Sequence, residues 1–170
     1  MSKSDIVSEW FHQYSHDVYD FLVYYTGNRD VEDLVQEVFI KAIKGLKTFK
    51  QQSSPKTWLF SIARNVAIDD ARKRNRKKLV LTSELDDMLK VDQDQMPENL
   101  IDLNEKRKEL YIAIHSLKPN YRDAVVLRGL KELSVAETAA VLDWKEEKVR
   151  TTYYRALKAL RKKRGGVEDE

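Results

Sequence analysis

Apolar residues recur along this chain at the spacing of an α-helix, with polar residues filling the positions between them. The clearest case runs from Ser134 to Arg164. Val149, Tyr153, Ala156, Leu157 and Leu160 stand at offsets 0, 4, 7, 8 and 11, which is one face of a helix. Lys148, Thr151, Arg155, Lys158 and Lys162 fall on the opposite side. A shorter helix precedes it. Ser134 with Glu137 three residues on makes a capping box, Ala136, Ala139, Ala140 and Leu142 supply small packing positions, and a turn falls near Asp143 and Trp144. Two short helices, a tight turn and a basic outer face predict a helix-turn-helix whose second helix enters a DNA groove. The plainer alternative is an amphipathic surface helix with a solvated basic side.

The first part of the chain carries the same period. Phe11, Tyr14, Val18, Phe21, Leu22 and Tyr25 share the face of a first helix that Gly27 and Asn28 end. Asp30 is the expected cap of a second helix, with Val31, Leu34, Val35, Val38, Ala42 and Leu46 as its buried stripe. A loop from Phe49 to Ser54 follows. Pro55 suits the first position of a third helix, whose expected core side is Trp58, Leu59, Ile62 and Val66.

Between these regions the pattern lapses. Residues 79–104 hold seven acidic side chains against Lys90 alone and include Pro97, which reads as a linker. The expected architecture is all-α: a helical domain over 1–78, an acidic flexible linker over 79–104, a second helical domain over 105–164 and a tail over 165–170. Five Gly and three Pro in 170 residues fit helices better than a turn-dense β fold. With no Cys there is no disulfide framework, Cys-based zinc site or thiol nucleophile. No apolar run approaches the ~20 residues of a membrane span, and the start lacks a secretory signal, so an intracellular, soluble protein is expected. The net charge of +3 is small, and its distribution carries more information.

On the second helix Asp33, Gln36, Glu37 and Ile40 lie together, away from the core stripe. An isoleucine ringed by acids and an amide suits docking to a partner that offers Arg or Lys and an apolar contact. The third helix ends in six cations within residues 72–78. Cations suit a helix C-terminus, but this number exceeds that need and fits a polyanion. The preceding loop, with Ser53, Ser54, Lys56 and Thr57, offers polar groups of the kind that hold an unstacked base. His12, His16 and Asp20 fall at i, i+4 and i+8, but lie on the expected solvent side with no evident supporting partner, so no metal site is expected. Asp69-Asp70 reads as a helix face. No Gly-rich phosphate loop or nucleophilic triad is present, so neither catalysis nor a cofactor is expected. An autonomous repressor or activator would leave the docking face and basic helix unexplained. The basic helices lack the bulky apolar face of a membrane-surface protein.

Three segments in order resemble the extracytoplasmic-function sigma factors, minimal two-domain sigma subunits of bacterial RNA polymerase in the sigma-70 family. They are the stretch Asp33 to Ala42, the stretch Trp58 to Asp69 followed by Arg72-Lys73, and a C-terminal set. That set comprises Leu117 to Leu127, Leu133 to Leu142, Val149 to Thr151 and Arg155 to Arg161. The resemblance covers nearly the whole chain. It implies that Asp33, Gln36, Glu37 and Ile40 dock on the clamp coiled coil of the polymerase's largest subunit. It assigns Ser54, Lys56, Thr57, Arg64, Asn65, Arg72, Lys73 and Arg74 to opening the minus-ten element and trapping a flipped base. It assigns Lys148, Arg150, Thr151, Thr152, Arg155 and Lys158 to reading the minus-35 element as duplex. The second domain would also meet the flap of the second-largest subunit, and the linker would thread toward the RNA exit path. The implied partners are core RNA polymerase, promoter DNA and an anti-sigma factor, with no small-molecule substrate. The implied place is the cytoplasm, at the nucleoid when in holoenzyme or held at a membrane by the anti-sigma factor. The recognition helix departs from the family at Lys145, Glu147 and Thr152. Glu146 and Glu147 suit the helix dipole and repel phosphate, so the docking of this helix is better supported than any base preference.

Overall fold

The computed structural model describes residues 2–27, 30–49, 54–79 and 105–165. Seven α-helices stand among them: α1 Lys3–Thr26, α2 Glu32–Gly45, α3 Pro55–Leu79, α4 Glu105–His115, α5 Pro119–Ala124, α6 Val135–Leu142 and α7 Glu146–Gly165. A short 3₁₀ turn, Leu46–Thr48, follows α2, and α5 widens into a π-helical turn, Val125–Leu130. No strand occurs among the described residues. Leu79, the first residue of the expected linker, instead ends α3; the rest of that linker, residues 50–53 of the expected loop (Ser53 with them), Asn28 and the tail beyond Gly165 lie outside these ranges.

Helices α1, α2 and α3 pack on one another as a bundle, and α4 to α7 form a second one. The local causes are plain. Ser2 and Asp5 make a reciprocal capping box at the start of α1, and Gly27 ends that helix in the left-handed region at φ 72°. Pro55 opens α3, with the Thr57 N–H donating to Ser54 Oγ at 3.1 Å. Ser134 and Glu137 make the capping box of α6, and Asp143 closes that helix in the left-handed region at φ 57°.

Several expectations are revised. Val31, not Asp30, holds the cap position of α2, with no side-chain cap. Val31 is fully buried, so packing of its side chain fixes where the helix begins. Phe11 stands at the edge of its stripe, 42% exposed, with its ring edge-on to Phe39 at 5.1 Å. The core arc of α3 runs through Leu59, Phe60, Ala63, Val66, Ala67 and Ala71, while Trp58 and Ile62 are only half-buried. Trp58 joins Trp10 and Phe49 in an aromatic cluster instead. Ala139 and Leu142 are buried on α6 as expected, whereas Ala136 and Ala140 face solvent.

The two bundles are not held apart. One continuous apolar core runs through both, and α6 lies directly on α3. Tyr24 of α1 meets Tyr111 of α4 edge-on at 5.6 Å. Any promoter-reading surface is therefore set within a single packed body.

Candidate functional site

The outer face of α2 is built as the sequence predicts. Its core stripe of Leu34, Val35, Val38 and Ala42 is buried, which leaves Asp33, Gln36 and Ile40 in solvent and Glu37 partly so. Glu37 reaches Lys41 one turn on, at 3.7 Å, an exposed pair that holds little energy. Ile40 is 51% exposed. The structure adds Ile43, one turn along the same side, and Phe11 of α1, both exposed. A groove between the helices, lined by Phe11, His16, Tyr19, Val35 and Gln36, adjoins them. Phe11 was missed because its spacing fits the α1 core stripe. Ile43 follows Ile40 by three residues, a signal available in the sequence.

The residues assigned to α3 divide into two sets. Asn65, Arg72, Lys73 and Arg74 stand in solvent on the side away from the core. Arg74 pairs with Asp70 at 2.9 Å, and a shallow groove runs between Asp69, Arg72, Lys73, Asn75 and Arg76. Lys56 is half-buried, 3.7 Å from Asp17 and above the Phe60 ring. The second set is covered. Thr57 is only 1% exposed. Its hydroxyl donates to Glu137 Oε2 at 2.9 Å and lies 2.9 Å from Ser54 Oγ. A hydroxyl has one proton and a carboxylate only accepts, so Ser54 donates to Thr57 and Thr57 to Glu137. Ser54 is thus a helix cap as well as a loop residue.

Arg64 is covered in the same way. Its Nε and Nη2 each lie 3.3 Å from one oxygen of Asp123, a bidentate pair in which the Asp123 side chain is 3% exposed. The Tyr25 hydroxyl bonds the same carboxyl. Burial pushes the Asp123 carboxyl above the usual range, against the downward pull of Arg64, and raises the Tyr25 phenol for the same reason. Next to this cluster the buried Arg122 donates to the carbonyls of His115 and Leu117, closing the turn between α4 and α5. Burial first, and the Arg122 charge second, hold His115 near pKa 3.

The helix-turn-helix is formed by α6 and α7. Val149, Ala156 and Leu160 anchor α7 to the core. Lys148, Arg150, Thr151, Arg155 and Lys158 are exposed and Thr152 half-exposed, as the period predicts. Lys145, Lys148, Thr151, Thr152 and Arg155 line one groove with Asn120 and Tyr121 of α5, and Glu147 shares it. The Lys148 ammonium sits 4.3 Å from the Trp144 ring, which fixes it at the head of the helix. Tyr154 is an addition. It is 61% exposed on the outer arc, with Lys158 stacked 4.8 Å from its ring. Position alone, three residues after Thr151, placed it there.

Asp20, the last of the His12, His16 and Asp20 row, is taken up by an ion pair with Lys131 of the second bundle. Among the described residues no group of three or more metal-ligating side chains comes together. Among the same residues no helix is long and apolar enough to cross a membrane.

Two known families match the two parts of the chain. Residues 10–77 match the Sigma-70 region 2 family and residues 107–160 match Sigma-70, region 4. The chain is 40% identical to the ECF RNA polymerase sigma factor SigX of Bacillus subtilis, over 88% of this chain and 78% of that one. It is 32% identical to the ECF RNA polymerase sigma-E factor of Escherichia coli K12, over 87% and 81%. Its fold is similar to that of the sigma factor RpoE of Bartonella quintana, solved in complex with the anti-sigma factor NepR. The TM-score is 0.75 at 23% identity, covering 94% of this chain and 97% of that one. The chain belongs to the extracytoplasmic-function sigma factors, initiation factors that direct RNA polymerase to specific promoters.

Proposed function

We propose that the outer face of α2 is the polymerase-docking surface, with Asp33, Gln36, Glu37 and Ile40 meeting the clamp coiled coil of the largest subunit. Ile43 and Phe11 extend its apolar part. The observation that carries this reading is Ile40: half exposed, ringed by acceptors, on a helix whose other face is fully spent on the core. An exposed apolar anchor inside a polar rim is what an interface centre requires. Lys56, Asn65, Arg72, Lys73 and Arg74, with Ser54, Thr57 and Arg64, act on the melted minus-ten element. Lys148, Arg150, Thr151, Thr152, Arg155 and Lys158 read the minus-35 element in the major groove, with Tyr154 beside them, while the second bundle meets the flap of the second-largest subunit. The division into a first domain, 1–78, and a second, 105–164, is part of this reading, and the family matches over residues 10–77 and 107–160 support it.

The protein works as a regulatory subunit in the cytoplasm and leaves bond-making to the polymerase. An anti-sigma factor is its expected inhibitor, since a sigma factor of this fold, RpoE of Bartonella quintana, was captured with one. The deciding experiment mixes purified core polymerase with the chain or with Asp33→Lys/Glu37→Lys. Reversing both charges is expected to weaken core binding by about 100-fold, because like charges then face each other, while helicity is kept. Unchanged affinity removes α2 as the docking face.

A further inference from the structure

Two of the exposed lysines of α7 each meet an aromatic ring. The Lys148 ammonium sits 4.3 Å from the Trp144 ring and the Lys158 ammonium 4.8 Å from the Tyr154 ring, inside the ~6 Å reach of a cation–π contact. The rings differ in what holds them. Tyr154 stands in solvent on the same helix. Trp144 lies outside α7, in the turn, half-buried against the core. Its backbone is fixed as well. Asp143 before it closes α6 in the left-handed region, and the Trp144 N–H donates to the Ala139 carbonyl at 3.1 Å. The indole is a rigid platform, and the four-carbon lysine stem is the part that is held.

Neighbouring charges do not explain where Lys148 goes. Glu146 and Glu147 precede it directly, and side chains one or two apart on a helix do not face each other. Among the described residues Lys148 takes part in no ion pair. Helix side chains lean toward the N-terminus, so the ammonium is drawn back toward the turn, to the rim of the groove it lines with Thr151, Thr152 and Arg155. In a duplex, base edges form the floor of a major groove ~8.5 Å deep, and phosphates line its edges. A cation at the rim is placed for the phosphates.

We propose that Trp144 is a positioning residue for promoter binding: its indole holds the Lys148 ammonium at the rim of the α5–α7 groove, ready to meet a phosphate of the upstream element. The proposal rests on the reading that α7 enters the major groove. A lysine loses rotamer freedom when a ligand orders it, and here part of that loss is met in the free protein. The ring covers one side of the ammonium, and donors on the other side remain for phosphate oxygens. Trp144 thus acts on affinity through Lys148, and neither residue sets base preference.

The test uses holoenzyme assembled from the full chain, on duplex carrying its upstream element or a scrambled one, over a range of salt. Lys148→Met keeps an apolar stem and removes the charge. It is expected to weaken binding about eightfold at ~0.1 M salt, equally on both sequences, and to lower the slope of log affinity against log salt by about one. Trp144→Leu is expected to weaken binding about threefold with the slope unchanged, because the phosphate contact still forms. Trp144→Phe is expected to fall between Trp144→Leu and the parent, since a smaller ring holds a cation less well. Combined with Lys148→Met, both changes at Trp144 are expected to cost nothing further. A purely structural role of Trp144 costs as much there as in the parent, and that result overturns the proposal. So does Trp144→Leu that binds as tightly as the parent or more so. If Trp144→Leu loses helicity, Trp144→Phe decides by the same comparison. A Lys148→Met loss confined to the matched sequence makes Lys148 a base reader and overturns the phosphate assignment. Lys148→Met with neither affinity nor slope changed removes Lys148 from the DNA face, and so counts against the underlying reading, whatever the Trp144 variants do.

Discussion

His115 shows how one side chain acquires a role from its surroundings. It is 4% exposed, its ring tilted against Tyr111 at 4.6 Å, and burial first and the Arg122 guanidinium second disfavour a second positive charge. Its folded pKa, about 3, lies below the ordinary 6.5. Its contribution to stability is therefore complete above about pH 6.5 and shrinks as pH falls toward 3, by roughly 1.4 kcal/mol per unit. Asp123, whose pKa is raised, acts with the opposite sign, so the parent chain alone does not isolate the histidine. Comparison with His115→Phe does. Denaturant titrations from pH 7 to 4 are expected to show a shallower acid loss in that variant. Parallel slopes in both proteins would refute the assignment.

At the level of elements, α7 performs two tasks with one period. Val149, Ala156 and Leu160 fix its rotation in the core, and that rotation sets which cations face outward. A one-residue change in register would move Arg155 away from the groove shared with Asn120 and Tyr121. Arg155→Ala is expected to weaken holoenzyme binding to its own upstream element by ~1–3 kcal/mol and to relax discrimination there, as for a lost base contact. Footprints on matched and mismatched upstream sequences separate the cases. An equal loss on every sequence marks Arg155 as a phosphate contact instead. Helix α3 is likewise shared three ways, among the first core, solvent and α6.

The whole molecule behaves as one body because its core is continuous. Calorimetry is expected to give a single transition with matching van't Hoff and calorimetric enthalpies; two resolved transitions would show that the bundles unfold independently. This scale was also the least legible in the sequence. Local signals worked: the Ser134–Glu137 box, Pro55 at the start of α3, Gly27 at the end of α1 and the stripe of α7 all stand as expected. Each depends on residues within a few turns of one another. The outer faces of α2 and α7 follow from those stripes. The Arg64–Asp123, Thr57–Glu137 and Lys131–Asp20 contacts span 59, 80 and 111 residues. Periodicity says that a helix face is covered and is silent about what covers it. For that reason Arg64 and Thr57 read as free DNA ligands, and Asp20 as part of a histidine row.

The three tryptophans are divided between the two bundles. Trp10 and Trp58 stand 5.9 Å apart, nearly perpendicular, next to Phe49. Trp144 stands at the turn of the helix-turn-helix under Lys148. Two indoles at that distance couple, so Trp144→Phe leaves a near-ultraviolet dichroism whose indole part comes from the first bundle, and Trp10→Phe/Trp58→Phe leaves indole emission from the second. The protein thus carries an intrinsic optical reporter in each bundle, with Tyr24 and Tyr111 in contact across the boundary between them.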